Sequence, residues 1–161
     1  MESQIGVRLL SKPFSLEQVS AAFYQDCIHA GAIVTFAGLV RPLAGERRVT
    51  GLTIDFHSEM TQKGIEDFAL HAMDHWPLSR VSIVHRTGFI GADEPIVFVG
   101  VSAEHRRAAY QANDLLMDYL KTAALFWKKE HYTDGASWIE PRDVDYKDAQ
   151  RWDAIKMRSA L

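Results

Sequence analysis

The chain has 161 residues, 47% hydrophobic and 24% charged, with 18 Lys+Arg against 21 Asp+Glu and a formal net charge of -3. That composition suits one globular domain, 1–161, and excludes collagen-like, low-complexity and disordered classes. The acidic balance argues against a general nucleic-acid binder, and the single cysteine excludes an intrachain disulfide or a cysteine-rich zinc site. No targeting segment stands out in the polar start, and no apolar run approaches ~20 residues, so no membrane span is expected and the cytosol is the default address.

Ile5, Val7 and Leu9 alternate with polar residues and predict a strand, which Pro13 stops. Ser15 and Gln18 have capping-box spacing, so a helix burying Leu16, Val19, Ala22 and Phe23 starts there. Residues 32–40 are β-branched and apolar and read as a strand buried on both faces. Residues 41–48 hold Pro42, Gly45 and three arginines and read as an exposed, mobile loop. Leu52, Ile54 and Phe56 alternate as a strand, then Ile65, Phe68, Ala69, Ala72 and Trp76 follow helical spacing up to Pro77.

Residues 81–86 read as a strand, 88–95 as a turn region and 96–101 as the central strand. A long helix is expected from about Glu104, with Ala108, Ala112, Leu115, Leu116, Tyr119 and Leu120 on one face. Strands at 126–132 and 137–140 flank Asp134-Gly135, a hairpin signal. The charged stretch after Pro141 holds a short helix around Trp152. Irregular alternation of strands and helices, with no linker or repeat, argues for one α+β domain.

Four constellations bear on chemistry. His71 and His75 share a helix face in His-x-x-Asp-His, which reads as surface histidines on an amphipathic helix or, with a third ligand, as a metal site. Ser102 to Arg107 lie where a buried strand enters a long helix. Unsatisfied amides with His105 and Arg106 there make either an anion site or a solvated first turn. Lys121, Lys128 and Lys129 border an apolar, aromatic run. A lysine held there either snorkels or loses solvation and becomes a base or nucleophile. Cys27 beside Ile28 reads as a buried structural thiol, with no base motif to activate it.

Several dispersed runs then resemble one family. They are Gly31-Ala-Ile-Val-Thr-Phe-Ala-Gly38 leading to Val40-Arg41, Trp76-Pro-Leu-Ser-Arg80-Val81, His85-Arg86-Thr-Gly88 and Ile96-Val-Phe-Val-Gly-Val101. Ser102-Ala-Glu-His105-Arg106, Met117-Asp-Tyr-Leu-Lys121-Thr122 and Phe126-Trp127-Lys128-Lys129-Glu130 complete the set. Over roughly Ile5 to Glu140 the chain resembles the MoaE family, the large, catalytic subunits of molybdopterin synthase. The resemblance implies an α/β-hammerhead type of α+β fold, with a mixed sheet, helices and a C-terminal β-hairpin. It also implies sulfur transfer. A small ubiquitin-like subunit carries sulfur as a thiocarboxylate on its C-terminal glycine. Its tail enters a pocket of the large subunit, and two sulfurs pass to cyclic pyranopterin monophosphate, forming the dithiolene of molybdopterin.

Carried over position by position, the resemblance puts substrate binding at Arg41, His105, Arg106, Lys121, Lys128, Lys129 and Glu130, with Lys121 and Lys128 catalytic. Lys121 is the reactive group, as acid–base catalyst or acyl acceptor, and Lys128 supports it electrostatically. Neither metal nor cofactor is implied. The partners implied are the sulfur-carrier subunit, the pterin and a second copy of the chain, in a homodimer with one small subunit at each end. Which copy supplies Arg41 is open. A chain of net charge -3 must concentrate positive charge locally to hold two anions, which these residues do. Leu39 replaces a residue often polar in relatives, and Leu125 a common proline, so the break before Phe126 is less enforced here. The rival readings are a non-enzymatic homo-oligomeric module for an anionic metabolite and a metal-dependent hydrolase on His71 and His75.

Overall fold

The computed structural model describes residues 4–156; Met1 to Ser3 of the polar start and residues 157–161 lie outside the described residues. In chain order the elements are β1 (Ile5–Leu10), α1 (Leu16–Asp26), β2 (Ala32–Leu39), β3 (Leu43–Ala44), β4 (Arg47–Phe56), α2 (Ser58–His75) and β5 (Leu78–Arg86). They continue with β6 (Gly88–Gly91), β7 (Pro95–Ala103), α3 (Arg106–Thr122), β8 (Phe126–Tyr132), β9 (Gly135–Ile139), α4 (Asp143–Gln150) and α5 (Asp153–Lys156).

One sheet has the order β1-β5-β7-β2, with β1 parallel to β5 and the other pairs antiparallel. Strand β7 is central, as its apolar run predicts. Its period of two sends Val97, Val99, Val101 and Ala103 into the main core and Phe98 to the opposite face. Ile65, Ala69 and Ala72 of α2 and Ala109, Ala112, Leu115 and Leu116 of α3 fill the first face. Val19 and Phe23 of α1 cover the second, where Phe23 meets Phe98 edge-on at 5.9 Å. The Ser15 hydroxyl caps α1 by accepting from the Gln18 amide at 3.2 Å. The second sheet runs β3-β4-β8-β9, with β6 also paired to β4. The hairpin turns at Asp134 and Gly135, where φ is +151° at Gly135. The chain therefore adopts the expected α+β class, with a mixed sheet, helices and a hairpin near the C-terminus.

Four local expectations are corrected. Strand β2 is not buried on both faces: it lies at the edge of its sheet, and Ile33, Phe36 and Leu39 are exposed. Its apolar run matches a central strand, but composition does not encode a sheet position. Residues 41–48 are not a plain loop, because Leu43–Ala44 pairs with Arg47–Arg48 across Gly45, whose φ is +62°. The turn region 88–95 contains β6, which pairs antiparallel with β4. Trp152 is not inside a helix but lies between α4 and α5, buried against the main core, with its indole donating to Asp118 at 2.7 Å.

Gly100 of β7 marks where α1 comes closest. A Cβ there would meet the Phe23 ring at 2.7–2.9 Å, and Phe23 is itself buried. Gly100→Val is expected to destabilise the fold by about 1–3 kcal/mol through overpacking. Urea unfolding checks this, and an unchanged midpoint would mean that α1 can retreat freely.

Candidate active site

The site forms where α3 stops. Without a proline at 125, other contacts enforce the break. The amides of Ala123 and Ala124 both donate to the Tyr119 carbonyl, at 2.9 and 3.0 Å, and the Thr122 hydroxyl turns back to the Asp118 carbonyl at 2.6 Å. The buried Thr61 of α2 donates to the Leu125 carbonyl at 3.0 Å, and Tyr119 stacks on Phe68 with centroids 4.0 Å apart. Strand β8 then starts at Phe126, pairing with Phe56 of β4.

A cavity of about 480 Å³ opens at this break. Its wall takes Lys121 from the end of α3, Phe126 and Lys128 from β8 and Arg41 from just after β2. Trp138 and Glu140 at the end of the hairpin, with Arg142, Asp145 and Tyr146 at the start of α4, close the far side. Phe126 and Lys128 are two apart on β8 and share a face, so the phenyl ring that reaches the core carries Lys128 in with it.

The two lysines differ in setting. Lys121 is exposed, whereas Lys128 is half-buried. Burial first, then the nearby Lys121 charge, push the Lys128 amine down to about 8, and Asp145 pulls it the other way. Of the three lysines that border the aromatic run, the solvation loss thus falls on Lys128. Asp145 is held below the usual carboxylate range, chiefly by Arg142, whose guanidinium donates at 3.2 and 3.3 Å and whose backbone amide donates at 2.8 Å.

Behind this wall lies His85 of β5, which the motif reading quoted but gave no task. It is buried and stacks on Phe126 at 4.2 Å with rings 16° apart. Its Nδ1 lies 2.7 Å from the Arg86 carbonyl, so Nδ1–H donates there. Burial pushes its pKa down to about 4.

Of the expected site residues, Arg41, Lys121 and Lys128 share the cavity. Glu130 lies on the Lys128 face of β8 but outside the cavity, accepting from Tyr132 at 2.7 Å, and Lys129 faces the other way, 5.6 Å from the Trp138 ring. His105 and Arg106 open α3, both exposed, with Glu104 3.6 Å from the His105 ring. Lys121 ends the same helix, so Arg106 lies ~22 Å from it along the axis at ~1.5 Å per residue. One chain does not bring the two clusters together. Cys27 is buried in the α1 core, away from the cavity, and burial pushes its thiol up. On α2, His75 packs edge-on against Trp76 and His71 lies beside Phe68. Among the described residues no group of three or more His, Cys, Asp or Glu could hold a metal ion, and no helix is long and apolar enough to cross a membrane.

Sequence reasoning missed Arg142, Asp145 and Tyr146, because a charged tail gives no sign that it folds back. Among the described residues, the local signal was Arg142 spaced three before Asp145, whose carboxylate accepts from the Arg142 backbone amide at 2.8 Å.

Residues 9–123 match the family model described as MoaE protein. The chain is 42% identical over 153 residues to the molybdopterin synthase catalytic subunit of Vibrio cholerae, covering 95% of this chain and 100% of that one. It is 44% identical over 147 residues to that of Caulobacter vibrioides, covering 91% and 97%. Among solved structures, the molybdopterin biosynthesis MoaE protein of Burkholderia ambifaria superposes with a TM-score of 0.76 at 36% identity, covering 92% and 97%.

Buried, neutral His85 has a consequence for acid stability. An unfolded chain takes up this proton near pH 6.5, whereas the folded one resists to about 4, so stability is full above 6.5 and falls as pH drops toward 4. The full cost is about 3 kcal/mol at 1.36 kcal/mol per unit. Denaturant titrations between pH 7.5 and 4.5 are expected to show a smaller loss for His85→Phe than for the natural chain. Parallel curves would mean that His85 takes up its proton equally readily in the folded and unfolded chains.

Proposed function

The chain belongs to the MoaE family, and we propose that it carries out sulfur insertion as a molybdopterin synthase catalytic subunit. The sulfur donor is a small ubiquitin-like protein with a C-terminal thiocarboxylate, and the acceptor is cyclic pyranopterin monophosphate. The observation that carries this reading is the cavity. In a chain of net charge -3, Arg41, Lys121, Lys128 and Arg142 gather around one space of about 480 Å³. That is a site for anions, and both the tail and the pterin phosphate are anionic.

The chemistry needs a nucleophile and a place for its proton. When the tail sulfur bonds to a pterin carbon, that carbon gives up a bond to oxygen, and sulfur then links the tail carbonyl to the pterin as a thioester. Freeing the sulfur onto the pterin requires attack at the carbonyl carbon. Lys121, exposed at the cavity mouth, is placed to meet an entering tail. Its neutral amine attacks, the carbon–sulfur bond breaks, an amide forms and the pterin keeps the sulfur as a thiolate. The proton released by the Lys121 amine goes to Lys128, whose value near 8 lets it exchange protons near neutrality. Lys128 therefore does more than lend charge. Water then cleaves the amide, which releases the tail as a carboxylate and restores the Lys121 amine, and a second donor tail repeats the cycle for the second sulfur.

Arg41 shares the wall with both lysines, so it serves the cavity of its own chain. His105 and Arg106, remote along α3, reach a cavity only from a second copy, and we assign them to the pterin phosphate across the homodimer. Lys129 and Glu130 follow Lys128 on β8 and are assigned to holding the binding segment.

The test is incubation with thiocarboxylated small subunit and the pterin precursor, followed by assay for the dithiolene product. Lys121→Ala and Lys121→Arg are both expected to lose turnover while keeping the fold, because a guanidinium neither attacks nor deprotonates near neutrality. Near-normal activity of the arginine variant would remove Lys121 from the chemistry. Turnover limited by proton transfer should rise with pH through about 8, where Lys128 sheds its proton, and then level off.

The shared site has its own signature. Mixed Lys121→Ala and Arg106→Ala chains, each inactive alone, should regain roughly a quarter of the activity, since half the dimers are mixed and each holds one intact site. No recovery in mixtures shown to exchange subunits would place Arg106 outside the site.

A further inference from the structure

The start of α4 contributes two groups to the cavity wall that no step of the proposed reaction uses, although Arg142 adds to the positive charge there. Asp145 is only 10% exposed at its side chain, and Arg142 is 69% exposed at the rim. The helix is not free to swing. Just past its end, Arg151 bridges to Asp114 at 3.1 Å and Asp118 at 2.9 Å, and the Trp152 indole also donates to Asp118. These bonds fix α4 to α3, the helix that carries Lys121.

Among the described residues, the charged and titratable groups around Lys128 come from several elements. Lys121 comes from α3, neutral His85 from β5 behind Phe126 and Arg41 from beyond β2. Glu130 lies on the same strand and is engaged by Tyr132. Glu140, Arg142, Asp145 and Tyr146 come from the hairpin end and α4. Among these the carboxylates at the cavity are Glu140, which is exposed, and Asp145, which is buried. A buried carboxylate acts through low dielectric and has the stronger effect on a neighbouring ammonium.

From this arrangement we propose that Asp145 is a positioning residue for the lysine pair, and that Arg142 sets how much of its negative charge the lysines feel. The carboxylate faces three cations and bonds directly to one of them. While Arg142 holds it, Lys121 and Lys128 share only part of its field, and Lys128 gives up its proton near neutrality. Were Arg142 drawn to an anion at the rim, the freed carboxylate would favour the charged form of Lys128. The inference takes from the proposed function the reading of the two lysines as the reacting pair.

The two ends of the Arg142–Asp145 bridge make opposite demands, and this gives the test. Lys128 in the intact protein is labelled with an amine-reactive reagent across pH, and the modified peptide is quantified by mass spectrometry. The plateau at high pH corrects each variant for accessibility. With Asp145→Asn, which keeps an acceptor for the Arg142 amide, the labelling midpoint should fall, giving about threefold faster reaction at pH 7 for a half-unit change. With Arg142→Met, the midpoint should rise and labelling at pH 7 should slow. A purely structural α4 would give a different pattern: both variants would open the cavity, rehydrate Lys128 and raise its midpoint. A midpoint that rises in both variants, or moves in neither, overturns the proposal. Because neither partner nor pterin is present, such a failure leaves the sulfur-transfer reading standing, and failure of the dithiolene assay leaves this result untouched.

Discussion

The site depends on a helix that must stop. Had α3 run on past Thr122, Lys121 and Lys128 would lie two turns apart on one helical face, both open to water. Instead the Tyr119 carbonyl takes two amides, Thr61 donates to the Leu125 carbonyl, and the chain turns into β8. That turn makes the cavity and puts a lysine two residues from a core phenylalanine. A proline at 125 would impose the break covalently. Here hydrogen bonds and the Tyr119–Phe68 stack impose it, so the site's geometry is tied to the packing of α2 against α3.

Once the break exists, electrostatics follow from depth. Lys121 stays in water at the mouth, and Lys128 is carried inward with Phe126. Desolvation and a neighbouring like charge both disfavour the Lys128 ammonium. The histidine behind it is neutral, so it stacks on Phe126 without adding a buried charge. Asp145 supplies the opposing sign and is itself occupied by Arg142. An amine that exchanges protons near neutrality is the outcome of these settings and is not a property of lysine itself.

Much of this was legible in the sequence where local pattern and tertiary demand coincide. The all-apolar run 96–101 is the central strand, Ser15 caps its helix, and Asp134-Gly135 turns the hairpin. Arg41, Lys121 and Lys128 could be nominated and do share a cavity. What failed was position within a sheet and distance through space. Strand β2 has a central strand's composition but lies at an edge, since no residue pattern states how many neighbours a strand will find. His105 and Arg106 lie one helix length from Lys121, a separation visible only once α3 is seen to be unbroken. Asp145 and Arg142 were hidden because a polar tail returns to the cavity through Trp152 and Arg151, whose partners are far away in sequence.

The α3–β8 break places one half-buried amine beside one exposed amine, so that the first titrates near neutrality. The most direct measurement of this is an NMR titration of the lysine Nζ groups in the natural chain and in Lys121→Gln. A Lys128 midpoint near 8 that moves upward when the Lys121 charge is removed is the expected result. A Lys128 that titrates near the ordinary lysine value of ~10.4 and does not respond to Lys121→Gln would contradict it.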